Sequence, residues 1–233
     1  MLGGGGQMIE FQSFIDKHKK FIAKPLTSGC GNGVKIFDSS KFSDNNALVE
    51  ALIKEYCKGI RGGFIVEELI KQDDRMAAFH PSSVNTLRLT TIRFDDRVEI
   101  IHPFMRIGRG GKVVDNGGAG GLLSNIDPET GKIFVCMDEN AVSYVKHPDS
   151  GLDIIGFEIP CWKEAVSLAK ELATVVKGQR YTGWDLALSD KGWMMVEGNA
   201  MSQFVGWQIP SQKGFMPEAQ QILKELQKRP LKY

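Results

Sequence analysis

The segment that most constrains the fold is a pair of short apolar runs joined by a turn, near the C-terminal end of the 233-residue chain. The first run, 183–189, alternates apolar and polar side chains, which is the period of a half-buried strand. The turn sequence Ser-Asp-Lys-Gly ends it, and a second apolar run then leads into Glu197-Gly-Asn199. We predict a β-hairpin in which Asp185 lies across from Glu197, and in which Glu197 and Asn199 share one face of the sheet.

Three oxygen-bearing side chains at one end of a sheet indicate a cation site. Carboxylates this close repel each other, and a hard cation removes the conflict. Mg²⁺ takes oxygen ligands, typically one or two carboxylates together with substrate phosphates. The hypothesis is therefore a magnesium site formed by Asp185, Glu197 and Asn199. The alternative is an ordinary strand end with solvated acids.

Composition excludes some classes of protein. A net charge of +1 gives no electrostatic case for binding nucleic acid or an anionic membrane. No apolar run reaches the roughly 18 residues that a spanning helix needs, and the N-terminus lacks the pattern of a secretory signal. The four cysteines are scattered without metal-finger spacing, so we interpret them as free thiols in a reducing cytoplasm.

A glycine-rich loop lies between two predicted strands near the N-terminus. The strand 21–25 contains Lys24, and the loop that follows contains Gly29, Gly31 and Gly33. Closely spaced glycines let backbone N–H groups approach an anion, and a lysine can reach a phosphate as a point charge. The alternative is a hairpin loop beside an exposed lysine.

The predicted strand 64–70 breaks its apolar pattern at Glu67 and Glu68, before Leu69. Adjacent acids point to opposite faces of a strand, so at least one faces inward or into a cleft. Backbone groups at such a strand end could pair with the edge of an adenine ring, which Leu69 could flank. An edge strand with one solvated acid is the alternative.

A meander of long antiparallel strands is predicted over 86–94 and 98–106. Arg88 and Arg106 could line one cleft and bind phosphate or carboxylate; the alternative is surface cross-strand pairing. The glycine-dense segment 108–121 contains Asp115-Asn116, which could bind a donor group or a metal-bound water. The helical period predicts helices over 9–20, 44–58, 160–177 and 217–228, with a loop over 201–215.

Together these motifs resemble the ATP-grasp superfamily. Phe-Ile-Ala-Lys24-Pro with Gly29-Cys-Gly-Asn-Gly33 looks like its lysine strand and phosphate-covering loop, and Val66-Glu-Glu-Leu69 looks like its adenine hinge. Asp185, Glu197 and Asn199 match its magnesium ligands. Further motifs are similar to the sugar-transfer-associated subgroup, which has been compared with glutamate ligases: His80-Pro, Asn85-Thr-Leu-Arg88, Asp115-Asn116 and Gly183-Trp-Asp185.

The resemblance implies an α+β fold in which two subdomains with antiparallel sheets clamp ATP. We expect a leader and short helix over 1–20, the small subdomain over 21–75 and the large subdomain with the metal site over 76–233. Full members carry an N-terminal domain before the lysine strand, which we expect to be largely absent. A missing domain or a partner would then supply the acceptor site.

The resemblance also implies the reaction. A carboxylate attacks the γ-phosphate of ATP to give an acylphosphate, and an amine or thiol then displaces phosphate. Lys24, Gly29, Gly31, Gly33, Glu67, Glu68 and Leu69 would bind nucleotide, and Arg88 and Arg106 would contact the transferring phosphate or the substrate carboxylate.

The substrates would be a small-molecule carboxylate and an amine. The subgroup's association with sugar transfer points to surface polysaccharide modification as the setting of this reaction. One alternative is a kinase on the same fold, for which His80 or Asp115 is the only candidate base. The other is a nucleotide-binding module without turnover.

Overall fold

The computed structural model describes residues 4–27, 31–58 and 62–228, with no side-chain description before residue 10. The chain divides into two compact units, Met1–Ile70 and Lys71–Tyr233. Each unit contains helices and an antiparallel sheet, which confirms the predicted α+β class. In the described residues, no helix is long and apolar enough to span a bilayer.

In its described residues, the first unit contains a three-stranded sheet in the order β2-β1-β3 and two α-helices. Its elements are α1 (Gly4–Lys17), β1 (Lys20–Pro25), β2 (Lys35–Asp38), α2 (Asn45–Tyr56) and β3 (Phe64–Glu68). The helix predicted over 9–20 therefore begins earlier and ends earlier, because Lys20 already belongs to β1. Asp44 caps α2, accepting a hydrogen bond from the N–H of Ala47. The core of the unit contains Ile15, Phe21 and Leu52.

The second unit is a six-stranded antiparallel sheet in the order β7-β6-β5-β4-β8-β9. Its strands are β4 (Thr86–Arg93), β5 (Val98–Ile107), β6 (Leu122–Ile126), β7 (Ile133–Met137), β8 (Tyr181–Ser189) and β9 (Gly192–Asn199). Its helices are α3 (Asp74–Ala77), α4 (Trp162–Val175), α5 (Val205–Ser211) and α6 (Met216–Lys228). The predicted meander and the final hairpin are both confirmed.

The two faces of this sheet differ in polarity. Alternate residues of β4 and β8, among them Leu87, Leu89 and Leu186, form an apolar core with one side of α4. The opposite face carries Arg88, Thr86 and other polar side chains, and farther along it a second cluster packs against α6. Burial of one apolar face fixes the strand register, so it also determines which side chains meet on the other face.

The segment 201–215, predicted as a loop, contains the helix α5. Pro210 lies within α5, and Gln212 ends it in a left-handed conformation. A helix this short shows little periodicity in the sequence. Its proline also argues against a helix, because proline removes a backbone donor and is rare inside helices. Gly206 in this helix has no side chain because a Cβ there would lie 2.3 Å from the ring of Phe104.

Candidate active site

The β8–β9 hairpin brings the three predicted metal ligands onto one face. Asp185 pairs directly with Glu197, as predicted, and Gly183 pairs with Asn199. The register shifts by one residue between Asp185 and Leu186, so Val196 is an extra residue on β9. The Asp185, Glu197 and Asn199 side chains therefore project from the face opposite α4.

Asp185 lies between two arginines on this face. Only 2% of Asp185 is exposed, and Arg88 donates to both of its oxygens, with 3.0 Å between Nη2 and Oδ2. Arg106 also reaches Oδ2, at 2.9 Å. Register explains the contact, because Arg88 is the direct partner of Asp185 across β4 and β8. Of the two alternatives for Arg88, cross-strand pairing thus occurs, but in a buried cluster instead of at the surface.

The third nitrogen of the Arg88 guanidinium group, Nη1, contacts a serine that helps to fix the orientation of the group. Nη1 donates to the hydroxyl of Ser202 at 3.0 Å, and Ser202 is itself buried. A Cβ on Gly183 would lie 2.1 Å from the Ser202 Oγ and 3.0 Å from the Arg88 Cδ. Glycine at position 183 therefore makes room for this contact. Sequence reasoning missed Ser202, because no motif marks a lone serine in a loop.

Arg106 is held by a second set of partners. Its Nε and Nη2 donate to the Thr86 hydroxyl at 3.0 and 2.7 Å, and its Nη1 donates to the Asn116 side-chain oxygen at 2.9 Å. Burial disfavours the charged guanidinium, but Asp115 and Asp185 more than compensate, so the pKa of Arg106 is raised. Arg106 therefore remains a cation at any ordinary pH.

Asp115 connects the glycine-dense segment to β4. Its Oδ2 accepts from the backbone N–H of Thr86 at 2.9 Å and from the Thr86 hydroxyl at 2.6 Å. Burial raises the pKa of this carboxyl, while Arg106 and the Thr86 hydrogen bonds oppose the shift. Asp115 therefore orients Arg106 and Thr86, and its acceptor Oδ2 is already engaged by the protein.

The donor chemistry at the end of the hairpin fits a divalent cation. Glu197 is exposed, and no described residue makes a hydrogen bond or ion pair with its carboxylate. The side-chain nitrogen of Asn199 is buried without a partner in the described residues, and a half-turn of the amide exchanges it for an oxygen. Oδ2 of Asp185 accepts from two arginines and Oδ1 from one, which leaves one acceptor position on Oδ1.

Protein side chains alone do not complete such a site. The described residues contain no group of three or more His, Cys, Asp or Glu that could hold a metal ion. Two carboxylates and one amide oxygen leave half of the positions of an octahedral ion to water or substrate oxygens. This is the usual arrangement for Mg²⁺ bound with phosphates, and it is unlike an all-protein cage.

In the first unit, Lys24 forms an ion pair with Glu67 on one face of the sheet. Glu68 projects to the other face, where His18 approaches it at 3.8 Å, and Leu69 follows the strand half-buried. The prediction that the two acids face opposite ways is confirmed, since Glu67 and Glu68 pair with successive residues of β1.

The glycine-rich loop is described from Gly31 onward, so Gly29 lies outside the described residues. Gly31 and Gly33 both have left-handed backbone angles, with φ of 71° and 78°. The Tyr56 hydroxyl lies 2.9 Å from the carbonyl oxygen of Gly33, to which it can donate a hydrogen bond. The end of this loop is therefore attached to α2.

Both ring nitrogens of His80 contact other groups of the protein. Its Nδ1 lies 2.9 Å from the Ser83 hydroxyl, and its Nε2 accepts the Gly111 N–H at 3.1 Å. Burial is the main cause that lowers the pKa of His80. His147, which sequence reasoning missed, contacts the Gly108 carbonyl oxygen at 2.8 Å. Two buried imidazoles thus hold the start of the glycine-dense segment.

Comparison with known proteins identifies the fold. A D-alanyl-alanine synthetase A from Vibrio cholerae O1 biovar eltor is similar in structure, with a TM-score of 0.52 and 11% identity over 95% of this chain and 56% of that chain. The ATP-grasp ligase PsnB in complex with a minimal precursor has a TM-score of 0.49 and 16% identity, over 93% of this chain and 51% of that chain. The chain thus spans about half the length of the PsnB structure.

No curated protein matches the chain significantly in sequence. At 11% identity, the synthetase establishes similarity of fold alone. The family is established by the sequence, because residues 5–224 match the family described as sugar-transfer associated ATP-grasp. The predicted superfamily, subgroup and fold class are therefore confirmed, and the chain belongs to the sugar-transfer associated ATP-grasp family.

Proposed function

We propose that the chain is an ATP- and Mg²⁺-dependent ligase that activates a carboxylate as an acylphosphate and joins it to an amine. The observation that carries the proposal is the buried cluster of Arg88, Asp185 and Arg106 on the sheet face that also presents Glu197 and Asn199. Two fixed cations beside free oxygen donors suit a reaction that moves a phosphoryl group and needs no nucleophile from the protein.

Each residue has a proposed task in this reaction. Glu197 and Asn199 hold the cation together with Asp185, and Mg²⁺ when bound offsets the negative charge of the phosphates. Arg106 contacts the transferring phosphate, because Thr86 and Asn116 fix its orientation. Arg88 contacts the same phosphate or the substrate carboxylate when it releases one of its bonds to Asp185.

The first unit contributes the nucleotide contacts. Lys24 contacts a phosphate in exchange for Glu67, and the loop with Gly29, Gly31 and Gly33 covers the phosphates through backbone N–H groups. The strand end at Glu67, Glu68 and Leu69 binds adenine. We propose 21–75 and 76–233 as the two functional subdomains, with a reducing cytoplasm as the location.

The substrate classes are a carboxylate and an amine, and the role in surface polysaccharide modification is part of the proposal. The kinase alternative needs a free base near the phosphate. His80 contacts Ser83 and Gly111, while Asp115 contacts Thr86 and Arg106, so neither candidate favours that reaction. A binding module without turnover remains the competing function.

Thermal unfolding with ATP, with and without Mg²⁺, is the first test. Ligand at 100 times its Kd adds about 2.7 kcal/mol, which raises the Tm by roughly 5–10 °C for a unit of this size. We expect Glu197→Gln to lose the Mg²⁺-dependent part of the shift. Glu139→Gln, an exposed glutamate in a loop of the same unit, is the matched control and should keep it.

Tracing the γ-phosphate with panels of carboxylates and amines then separates the functions. A ligase releases free phosphate and ADP with an acyl-linked product, whereas a kinase leaves the phosphate on its product. A Tm shift with no ADP release for any acceptor pair would support the binding module. If neither ATP nor Mg·ATP shifts the Tm, the proposed site is wrong.

A further inference from the structure

A basic groove lies on the first unit, beside the β2 edge of its sheet. It has a volume of about 780 Å³ and is lined mainly by residues of β2, α2 and the segment between them, together with Lys20 of β1 and Lys58 just after α2. Its lining contains five lysines against two carboxylates, an excess of three positive charges: Lys20, Lys35, Lys41, Lys54 and Lys58 with Asp38 and Glu55. The net charge of the whole chain is only +1, so this excess is local.

Three of these lysines form no ion pair with a described residue. Lys20 pairs with Asp38 at 3.8 Å, and Lys35 pairs with Glu55 at 2.7 Å. Among the described residues, no carboxylate lies within ion-pair distance of Lys41, Lys54 or Lys58. Lys54 lies in the last turn of α2, and Lys58 follows two residues after the end of this helix. The groove therefore presents cations that its own acids do not neutralise.

The edge of the sheet forms one side of the groove. In the described part of the unit, β2 pairs with β1 alone, at the end of the strand order. The N–H of Ser39 donates to the carbonyl of Lys19, and bonded pairs alternate along an antiparallel ladder. This alternation directs the N–H and C=O of Ile36 away from β1, toward the open edge. The Ile36 side chain is 46% exposed.

We propose that this groove binds an acidic, extended peptide segment of a partner protein, which adds to β2 as a fourth strand. The backbone groups at the edge can pair with another peptide backbone, since strand addition joins N–H and C=O groups in a ladder. The lysines select acidic side chains on that segment. Phe37, Phe42 and Ala51 in the lining give apolar side chains of the peptide a surface to contact.

Charge also decides against a second copy of this chain as the occupant. Two β2 edges placed side by side would bring the lysine-rich linings of both copies together, and like charges across a strand pair repel. Lysines at a sheet edge oppose self-association for this reason. An acidic strand removes that repulsion and replaces it with attraction.

The test is binding of a fluorescein-labelled 12-residue peptide of alternating glutamate and valine to the full chain, measured by anisotropy. The triple variant Lys41→Glu, Lys54→Glu and Lys58→Glu should weaken binding by about tenfold or more, since it reverses three contacts. A matched triple, Lys163→Glu, Lys170→Glu and Lys177→Glu, makes the same change of charge on exposed residues in and just after α4 and should bind like the parent.

The backbone part of the proposal has its own measurements. Ile36→Pro removes the outward N–H and leaves the β1 ladder intact, so it should weaken the peptide while the lysines remain. Independently of whether that variant folds, the amides of β2 in the parent chain should gain protection from hydrogen exchange when the peptide binds.

Three results would overturn the inference. The first is absence of peptide binding by the parent chain, and the second is equal loss in both lysine triples. The third is binding without protection of β2, with polygalacturonate binding as tightly as the peptide. That outcome would make the groove a polysaccharide site without strand addition. None of these results bears on ATP binding, which the unfolding experiment measures separately.

Discussion

Among the substitutions proposed for the second unit, we expect the loss of the buried Asp185 carboxylate to lower its stability most. Its side chain is 3% exposed, and those of Arg88 and Arg106 are 12% and 14% exposed. Asparagine has nearly the same volume, but it offers one acceptor oxygen in place of two and turns an amide N–H toward a guanidinium group. Removing one partner of a buried ion pair costs about 3–5 kcal/mol, because the remaining charge is left uncompensated.

We therefore expect Asp185→Asn to lower the Tm of the second unit by roughly 6–20 °C, at 2–4 °C per kcal/mol. Circular dichroism on heating measures the shift, and urea titration gives the free energy of unfolding. Arg97→Met is the control for an exposed charge cluster, since Arg97 contacts three carboxylates at the protein surface. It should change the Tm far less.

The cluster also predicts that the destabilising effects of substituting Arg88 and Asp185 are not additive. Arg88→Met leaves Asp185 with Arg106, and the double variant with Asp185→Asn leaves Arg106 with Asp115. The double variant should therefore be less destabilised than the sum of the single variants, by about 1–3 kcal/mol. The reasoning is refuted if the effects add, or if Asp185→Asn melts within about 2 °C of the parent.

Three further perturbations follow from other contacts. Gly183→Ala should destabilise the second unit by about 1–3 kcal/mol, because its Cβ would collide with Ser202; urea unfolding measures it. His80 has a folded pKa below its ordinary 6.5, so the unfolded state binds the proton more readily and stability should fall as pH drops below about 6.5; His80→Gln should flatten that dependence in pH-resolved melts. Tyr56→Phe should cost about 1 kcal/mol in urea unfolding and speed amide exchange next to Gly33, since the loop loses a hydrogen bond.

Each of these variants has a control or a contradicting outcome. Gly118→Ala adds a methyl group where nothing lies within 4 Å, so it should leave stability nearly unchanged. Equal effects of the two glycine variants would contradict the steric argument. For His80, an equally large loss of stability at acid pH in the parent and in His80→Gln would contradict the prediction. For Tyr56, unchanged exchange in the loop would mean that the hydroxyl does not hold it.

Local patterns predicted most of the elements. Alternation over 183–189 and a two-residue turn determine the last hairpin, whereas the extra residue Val196 determines the face from which Glu197 and Asn199 project. Both depend on residues close in sequence. The same holds for the cap of α2 at Asp44, where a side chain contacts a backbone group three residues away.

Partners distant in sequence could not be predicted this way. Periodicity assigns Arg88 to a sheet face but does not say which residue of β8 lies beside it, since β4 and β8 are separated by three strands and a helix along the chain. Ser202 and Thr86 contribute hydroxyls that become visible as ligands of the arginines only in the folded sheet. At the N-terminus, α1 includes Gly4, Gly5 and Gly6, against their low helix propensity.

The extra residue Val196 has a consequence for how this hairpin can be altered. From the turn to Leu186 the strands follow the register of a two-residue loop, and continuing that register would set Asp185 opposite Val196 and Glu197 opposite Trp184. Glu197 and Asn199 would then project among the apolar side chains beneath α4. Deleting one residue of β9 would thus move the side chains of Glu197 and Asn199 to the opposite face of the sheet. Inserting one residue into each strand near the turn would lengthen the hairpin and leave these two side chains on their present face.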